Sequence, residues 1–204
     1  MSIGYSGSLP LSLRREPFTL NDRRGSLAIL LFIATEAALF AMLFATYWYM
    51  GKGQFRWPPD KPPKLHYAIP MLIVLLASSV VLHWGELQVK KHKVRTGKIA
   101  LAVTILMGIG FLVMSVFEYK EHLAELLPTR DAYASIFYTT VTLHAAHVVV
   151  GLCVLSYVLL LPSIEPRQST PHRPYHNASL YWHFVDTVWV FVVLFYYVVP
   201  NIRR

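Results

Sequence analysis

Five long apolar runs, separated by short polar stretches, dominate this sequence. They cover residues 27–50, 67–88, 99–117, 135–161 and 180–200. A bilayer core about 30 Å thick takes about 20 residues of α-helix at a rise of about 1.5 Å per residue, so each run is long enough to cross a membrane. Of the 204 residues, 55% are hydrophobic and only 15% are charged, which is too apolar for an ordinary soluble domain. The pattern predicts an all-α integral membrane bundle of five transmembrane helices.

The polar stretches predict the domain organisation and the orientation. Residues 1–26 are polar, have no signal-peptide pattern and are expected to form a cytoplasmic N-terminal segment, with residues 27–204 as a single transmembrane domain. The side that holds the N-terminus has eleven Lys and Arg, against eight on the other side. Because cytoplasmic loops are enriched in these residues, we predict a cytoplasmic N-terminus and an external C-terminus.

The net charge of +8 is therefore explained by topology and by contact with lipid headgroups, and it does not indicate nucleic-acid binding. Cys153 is the single cysteine and lies in the middle of the fourth run. An internal disulfide is excluded, and a metal site built on thiolates is disfavoured.

Ionisable side chains inside the runs are the candidates for function. A charged group at the centre of a transmembrane helix costs about 2.5 to 3.5 kcal/mol on insertion scales, so such groups face protein, water or one another. The candidates are Glu36 in the first run, His83 and Glu86 in the second, Glu118 at the end of the third, His144 and His147 in the fourth, and His183 and Asp186 in the fifth.

Glu36, His144 and His147 are all expected near the membrane midplane, from their distance to the ends of their runs. The two histidines are three residues apart and share one helix face. Three interpretations compete for them: a metal pair, one side of a bis-histidine haem site, or imidazoles hydrogen-bonded to Glu36 or to backbone. The last is favoured, because His183 and Asp186 are expected nearer the cytoplasmic border and His83 is too close to its helix end to match.

Similar reasoning predicts structural roles for the remaining groups. Trp182, Asp186 and Trp189 follow an i, i+4, i+7 pattern, so two indole N–H groups could donate hydrogen bonds to the carboxylate. Glu118 is expected at the outer surface, where water can hydrate it. The Ser78–Ser79 pair and the two glycines of Gly108-x-Gly110 are typical of close helix packing.

Four motifs that follow one another along the chain resemble those of the subunit III family of haem-copper oxidases. They are Thr35-Glu36 with Phe40, Phe117-Glu118-Tyr119, His144-Ala-Ala-His147-Val148 with Gly151, and Tyr181-Trp182-His183-Phe184-Val185-Asp186 with Trp189. The resemblance spans all five runs in order. Each motif is weak alone, and their combination in the correct order is specific.

The resemblance implies a non-redox accessory subunit of a respiratory oxidase in a bacterial or archaeal plasma membrane. Members pack on the catalytic subunit I, lie beside subunit II and other oxidase subunits, bind structural phospholipid in a cleft and hold no haem or copper, which belong to the partner subunits. By this resemblance no residue is catalytic and none binds a metal. Glu36 lies at the lipid cleft bonded toward His147, while Glu118, His183 and Asp186 anchor their helices.

The sequence departs from the family pattern at several positions, and alternative functions remain open. Longer members have seven helices, and this chain matches their last five; Met114 and Ser115 replace a frequent Gln-Gly pair, and Leu39 replaces an aromatic residue. The alternatives are an accessory subunit of a quinol oxidase or of a nitric oxide reductase, and an independent proton-conducting transporter. A desaturase-type metalloenzyme is disfavoured, because the nine histidines are scattered over both sides.

Overall fold

The computed structural model describes residues 20–52, 57, 65–125, 128–129, 131–161 and 172–202. The helices are α1 Leu20–Gly51, α2 Leu65–Lys90, α3 Val94–Glu125, α4 Ala132–Leu160 and α5 His172–Val192. The chain of α5 continues without a break through a π-helical segment, Val193–Val198, into a last turn, α6 (Val199–Ile202). Five helical spans are long and apolar enough to cross a membrane, as predicted.

The helices extend beyond the apolar runs that predicted them. α1 begins at Leu20 inside the segment expected to precede the bundle, whose residues 1–19 lie outside the described structure. α5 begins at His172, eight residues before the expected start of the fifth run. Polar helical turns at a membrane surface carry no hydropathy signal, which is why the runs underestimate them.

The last helix is the centre of the bundle. α5 packs against both α2 and α4, α2 pairs along its length with α3, and α1 rests on α4 and α5. In the most apolar 18-residue window of each span, half of the α5 residues are buried, against 6% for α1. The core is built on side chains of α5 and its neighbours that are fully enclosed, among them Trp182, Trp189, Tyr196, Phe111 and Leu75.

Pro70 lies inside α2, in its second turn. Tyr175 precedes the fifth apolar run, yet it is buried and its hydroxyl donates to the carbonyl of Leu82 at 3.3 Å. The early start of α5 explains this burial, since it brings Tyr175 into the helix packed against α2. Trp48, near the end of α1, is about half exposed, as a residue at the headgroup level is expected to be.

Candidate functional site

A hydrogen-bonded pair between α1 and α4 lies near the middle of the bundle. Nε2 of His147 is 2.8 Å from Oε2 of Glu36, and Nδ1 of His147 is 2.8 Å from the carbonyl oxygen of Leu143 one turn earlier. The ring of Phe40 covers the imidazole at a centroid distance of 5.1 Å. This confirms the contact expected for Glu36 and His147.

The partners of His147 determine what the pair can do with a proton. A backbone carbonyl only accepts hydrogen bonds, so Nδ1 must carry a proton toward Leu143. One further proton then lies between Nε2 and Glu36, on the ring as an imidazolium–carboxylate pair or on the carboxyl as a neutral pair. Both forms have zero net charge, which lowers the cost of placing the pair inside a membrane.

A second cluster joins α2 to α5. The hydroxyl of Ser79 donates to Oδ2 of Asp186 and lies 2.7 Å from Nδ1 of His183, while Nε2 of His183 is 3.2 Å from the hydroxyl of Ser179. Because Ser79 has one proton and gives it to Asp186, Nδ1 of His183 is the donor to Ser79. Both ring nitrogens of His183 thus have a hydroxyl partner.

The expected bonds from the two indoles to Asp186 are wrong. Nε1 of Trp182 donates to the hydroxyl of Ser78 at 2.9 Å, and Nε1 of Trp189 and Oδ1 of Asp186 are buried without a hydrogen-bond partner among the described residues. Residues four apart share a helix face, yet Asp186 accepts its hydrogen bond from the serine pair of α2 rather than from the indoles. Those serines, predicted as packing residues, are the hydrogen-bonding groups that the sequence analysis missed.

His144 also differs from expectation. It is fully buried, and neither ring nitrogen has a hydrogen-bond partner in the described structure. Instead its ring stacks on Trp189 at a centroid distance of 4.9 Å and meets the edge of Phe111 at 5.8 Å. The two histidines of the fourth run therefore have different surroundings: His147 is bonded at both nitrogens, and His144 is a member of an aromatic stack.

Glu118 is enclosed by protein rather than hydrated at the surface. Its side chain is almost fully buried, and the hydroxyl of Tyr197 donates to its Oε1 at 2.9 Å. His122, one turn later, has Nε2 at 3.9 Å from the same oxygen. The π-helical segment presents Tyr197 to α3 and the preceding Tyr196 to α4, where its hydroxyl lies 3.0 Å from that of Thr140. The sequence predicts that Glu118 anchors its helix but does not identify the partner, because π-helical turns have no recognised sequence pattern.

Small residues allow the close approach of α3, α4 and α5. A Cβ on Gly108 would lie 2.7 Å from a side-chain carbon of Leu152 and 2.8 Å from the indole of Trp182. A Cβ on Gly151 of α4 would lie 2.9 Å from the same indole. Gly110 has open space beside it, so only the first glycine of Gly108-x-Gly110 has the predicted packing role.

The described residues offer no metal site: no three His, Cys, Asp or Glu side chains among them lie together as ligands. Asp186 lies deeper than the sequence predicts. The last span runs from Pro174 to Ile202, which places Asp186 near its middle instead of close to the expected cytoplasmic border. His183 is held by its hydrogen bonds and His144 by its ring stacking, so these side chains do not come together as ligands.

Comparison with known proteins agrees with this architecture. The family model for cytochrome c oxidase subunit III matches residues 19–200. Cytochrome c oxidase subunit 3 of Bacillus subtilis is 34% identical over 182 residues, covering 87% of each chain. The probable subunit 3 of Mycobacterium leprae is 31% identical over 93% of this chain and 96% of its own. That of Rickettsia conorii is 30% identical over 86% of this chain but only 68% of its own length. This chain belongs to the cytochrome c oxidase subunit III family and is an accessory subunit of a haem-copper oxidase.

Proposed function

We propose that this chain acts as a redox-inactive stabiliser of the oxidase, packing on catalytic subunit I and binding structural phospholipid. Electron transfer and oxygen reduction then take place at haem and copper in the partner subunits. Subunit II and further subunits are additional neighbours, and the plasma membrane is the site of assembly.

One observation supports this role above the others. The buried polar groups are used to join helices of this chain: Glu36 with His147, Ser79 with Asp186 and His183, and Tyr197 with Glu118. Side chains tied to one another in this way hold a bundle together and leave few groups for a ligand set. The proposal also predicts that the purified chain alone holds no stoichiometric haem or copper, so one tightly bound ion in metal analysis contradicts it.

The Glu36–His147 pair provides the sharpest test. In Glu36→Ala, Nε2 of His147 loses its partner inside the bundle, at a cost of about 1–3 kcal/mol. We expect α1 to loosen, and with it the association with subunit I and lipid, while the initial rate of oxygen reduction in assembled complex changes less than about twofold. The measurement is subunit and phospholipid content after detergent washing, beside the initial rate of the same preparation.

Glu36→Gln is the matched control, because its amide can still donate to a neutral Nε2 at the same position. It should keep subunit and lipid content near that of the parent. An immediate loss of turnover in fully assembled Glu36→Ala complex favours direct proton chemistry at this carboxyl instead.

An independent proton-conducting transporter is the second candidate, motivated by the single proton shared between Glu36 and His147. It predicts proton flux into liposomes that contain this chain alone. The accessory role predicts none above the leak of empty liposomes.

A further inference from the structure

Polar side chains of α2 and α5 form two facing stripes, which we call the polar seam. Their spacings of three, four and seven residues place each set on one helix face. The members are Ser79, His83, Glu86 and Lys90 on α2, and His176, Ser179, His183 and Asp186 on α5. The stripe on α2 is about 16 Å long at 1.5 Å per residue, about half of the hydrocarbon thickness.

Groups inside the seam satisfy one another. Ser79 and Ser179 occupy both nitrogens of His183, as described above. Toward the helix ends, Glu86 accepts from Nζ of Lys90 at 2.8 Å and lies 3.0 Å from Nδ1 of His176. Among the described residues, Oδ1 of Asp186 is the inner atom of the seam left without a partner, and it is buried away from the outer edge.

His83 is the exception. Its side chain is exposed, and within the described structure it makes no hydrogen bond, only a ring contact with His183 at a centroid distance of 6.4 Å. It lies seven residues before Lys90, about 10 Å along the helix, so an imidazole at this position cannot reach the headgroups as a lysine can. An unpaired imidazole facing lipid at this depth is unfavourable, which indicates that something polar covers it.

The distribution of charge indicates what covers it. The two carboxylates of the seam, Glu86 and Asp186, are buried at 4% and 3% exposure. The cationic or proton-donating side chains face outward: those of Lys90 and His176 are 45% and 46% exposed, and His83 is exposed beside them. The outer edge of the seam thus presents donors and positive charge, for which the complement is a carboxylate.

We propose that the outer edge of the polar seam, centred on His83, is the docking surface for a transmembrane helix of another oxidase subunit that carries a carboxylate at the depth of His83. This inference rests on the proposed function and adds to it the face and the chemistry of the contact. The partner carboxylate bonds the His83 ring and closes the seam against lipid.

Photocross-linking in the assembled oxidase tests the surface directly. A benzophenone amino acid replaces His83, and in a control it replaces Leu106, an apolar side chain of α3 that is 67% exposed. We expect the probe at position 83 to join a helix of another subunit, at a peptide that contains Asp or Glu, above the background set by position 106. Adducts with lipid alone, or with a peptide that lacks a carboxylate, overturn the proposal.

Two substitutions add an energetic test. His83→Leu removes the donor and suits a lipid-facing site, whereas His83→Gln keeps a donor. If a carboxylate covers His83, the Leu variant should dissociate from the complex about tenfold faster in detergent, and the Gln variant within about twofold of the parent. If lipid covers it, the Leu variant is retained as well as the parent or better, which overturns the docking surface.

Different results contradict the proposed function and the docking surface. A parent chain that purifies from mild detergent without any haem-bearing companion contradicts the proposed function. A parent chain that purifies with its companions, but whose position 83 labels only lipid, contradicts the docking surface alone.

Discussion

Single side chains in this bundle differ in how fully their hydrogen-bonding groups are satisfied, even within one motif. His144 and His147 are three residues apart on α4, yet among the described residues His147 finds partners for both nitrogens and His144 for neither. Depth along the apolar runs predicts that Glu36 bonds one of these histidines, and the family resemblance selects His147. It cannot predict the isolation of His144, which depends on the position of the Trp189 ring in three dimensions.

His144→Phe is expected to stabilise the protein. The substitution removes two buried nitrogens that have no partner in the part of the chain that the structure describes, and it keeps a flat ring between Trp189 and Phe111. Burying such unpaired groups costs about 1–3 kcal/mol each, so even partial relief should raise stability by about 1 kcal/mol. Thermal denaturation of the purified protein in detergent measures the change.

His144→Ala is the matched variant, since it also removes the nitrogens but leaves a cavity. It should destabilise by about 2 kcal/mol or more, as other truncations of buried side chains do. If His144→Phe lowers the transition as much as His144→Ala, the ring nitrogens have partners that the core requires, and the interpretation of His144 as a purely aromatic neighbour is wrong.

At the level of whole elements, the final helix departs most from a regular α-helix. Its π-helical segment Val193–Val198 follows 21 residues of α-helix and precedes the last turn. A π-turn contains one residue more than an α-turn, and such turns are frequent at functional positions. Here the segment directs the adjacent hydroxyls of Tyr196 and Tyr197 to two different helices.

Deletion of Leu194 should be tolerated better than an equivalent deletion in α4. Leu194 is 41% exposed and lies in the π-helical segment, so its removal lets the helix continue as an α-helix without turning the residues on either side. Deletion of Val149, 47% exposed in regular α4, rotates everything after it by about 100° and turns the buried Leu152 and Leu155 away from the core. The yield of monodisperse protein and its thermal transition compare the two.

We expect the Leu194 deletion to remain folded and the Val149 deletion to be lost from the membrane fraction. Equal loss of both proteins would mean that the π-helical segment has a required geometry of its own rather than one accommodated residue.

Across the whole molecule, polarity is distributed in a way that apolar runs alone do not reveal. The two most apolar spans, α1 and α3, have mean hydropathies of 2.4 and 2.5, and 6% and 28% of their most apolar residues are buried in the bundle. α5 has the lowest value, 1.7, and is the most buried. Lipid solvates apolar helices without help, whereas His183, Asp186 and Ser179 require protein partners and so draw α5 to the centre.

The number of spans is predictable from the length and hydropathy of the apolar runs, because the thickness and the apolar interior of the bilayer set both. The central position of α5 is encoded in its polar residues, but the individual contacts depend on rotation and register, as the exchange of indoles for serines around Asp186 shows. The length of α5 was missed because its first turns, from His172, are polar.

The orientation of the bundle leads to a last prediction. The turn between α2 and α3 holds Lys91 and Lys93, and Lys90 and Arg95 lie in the helical turns on either side. His92 within the turn has a left-handed φ of 61° that closes it tightly. An excess of basic residues marks the cytoplasmic side. In a Cys153→Ser background, Lys91→Cys should react with a membrane-impermeant maleimide only after cells are permeabilised, whereas Lys120→Cys, exposed at the opposite end of α3, should react in intact cells. The reverse pattern would place the N-terminus outside, and it would also move the donor-rich end of the polar seam to the external side of the membrane.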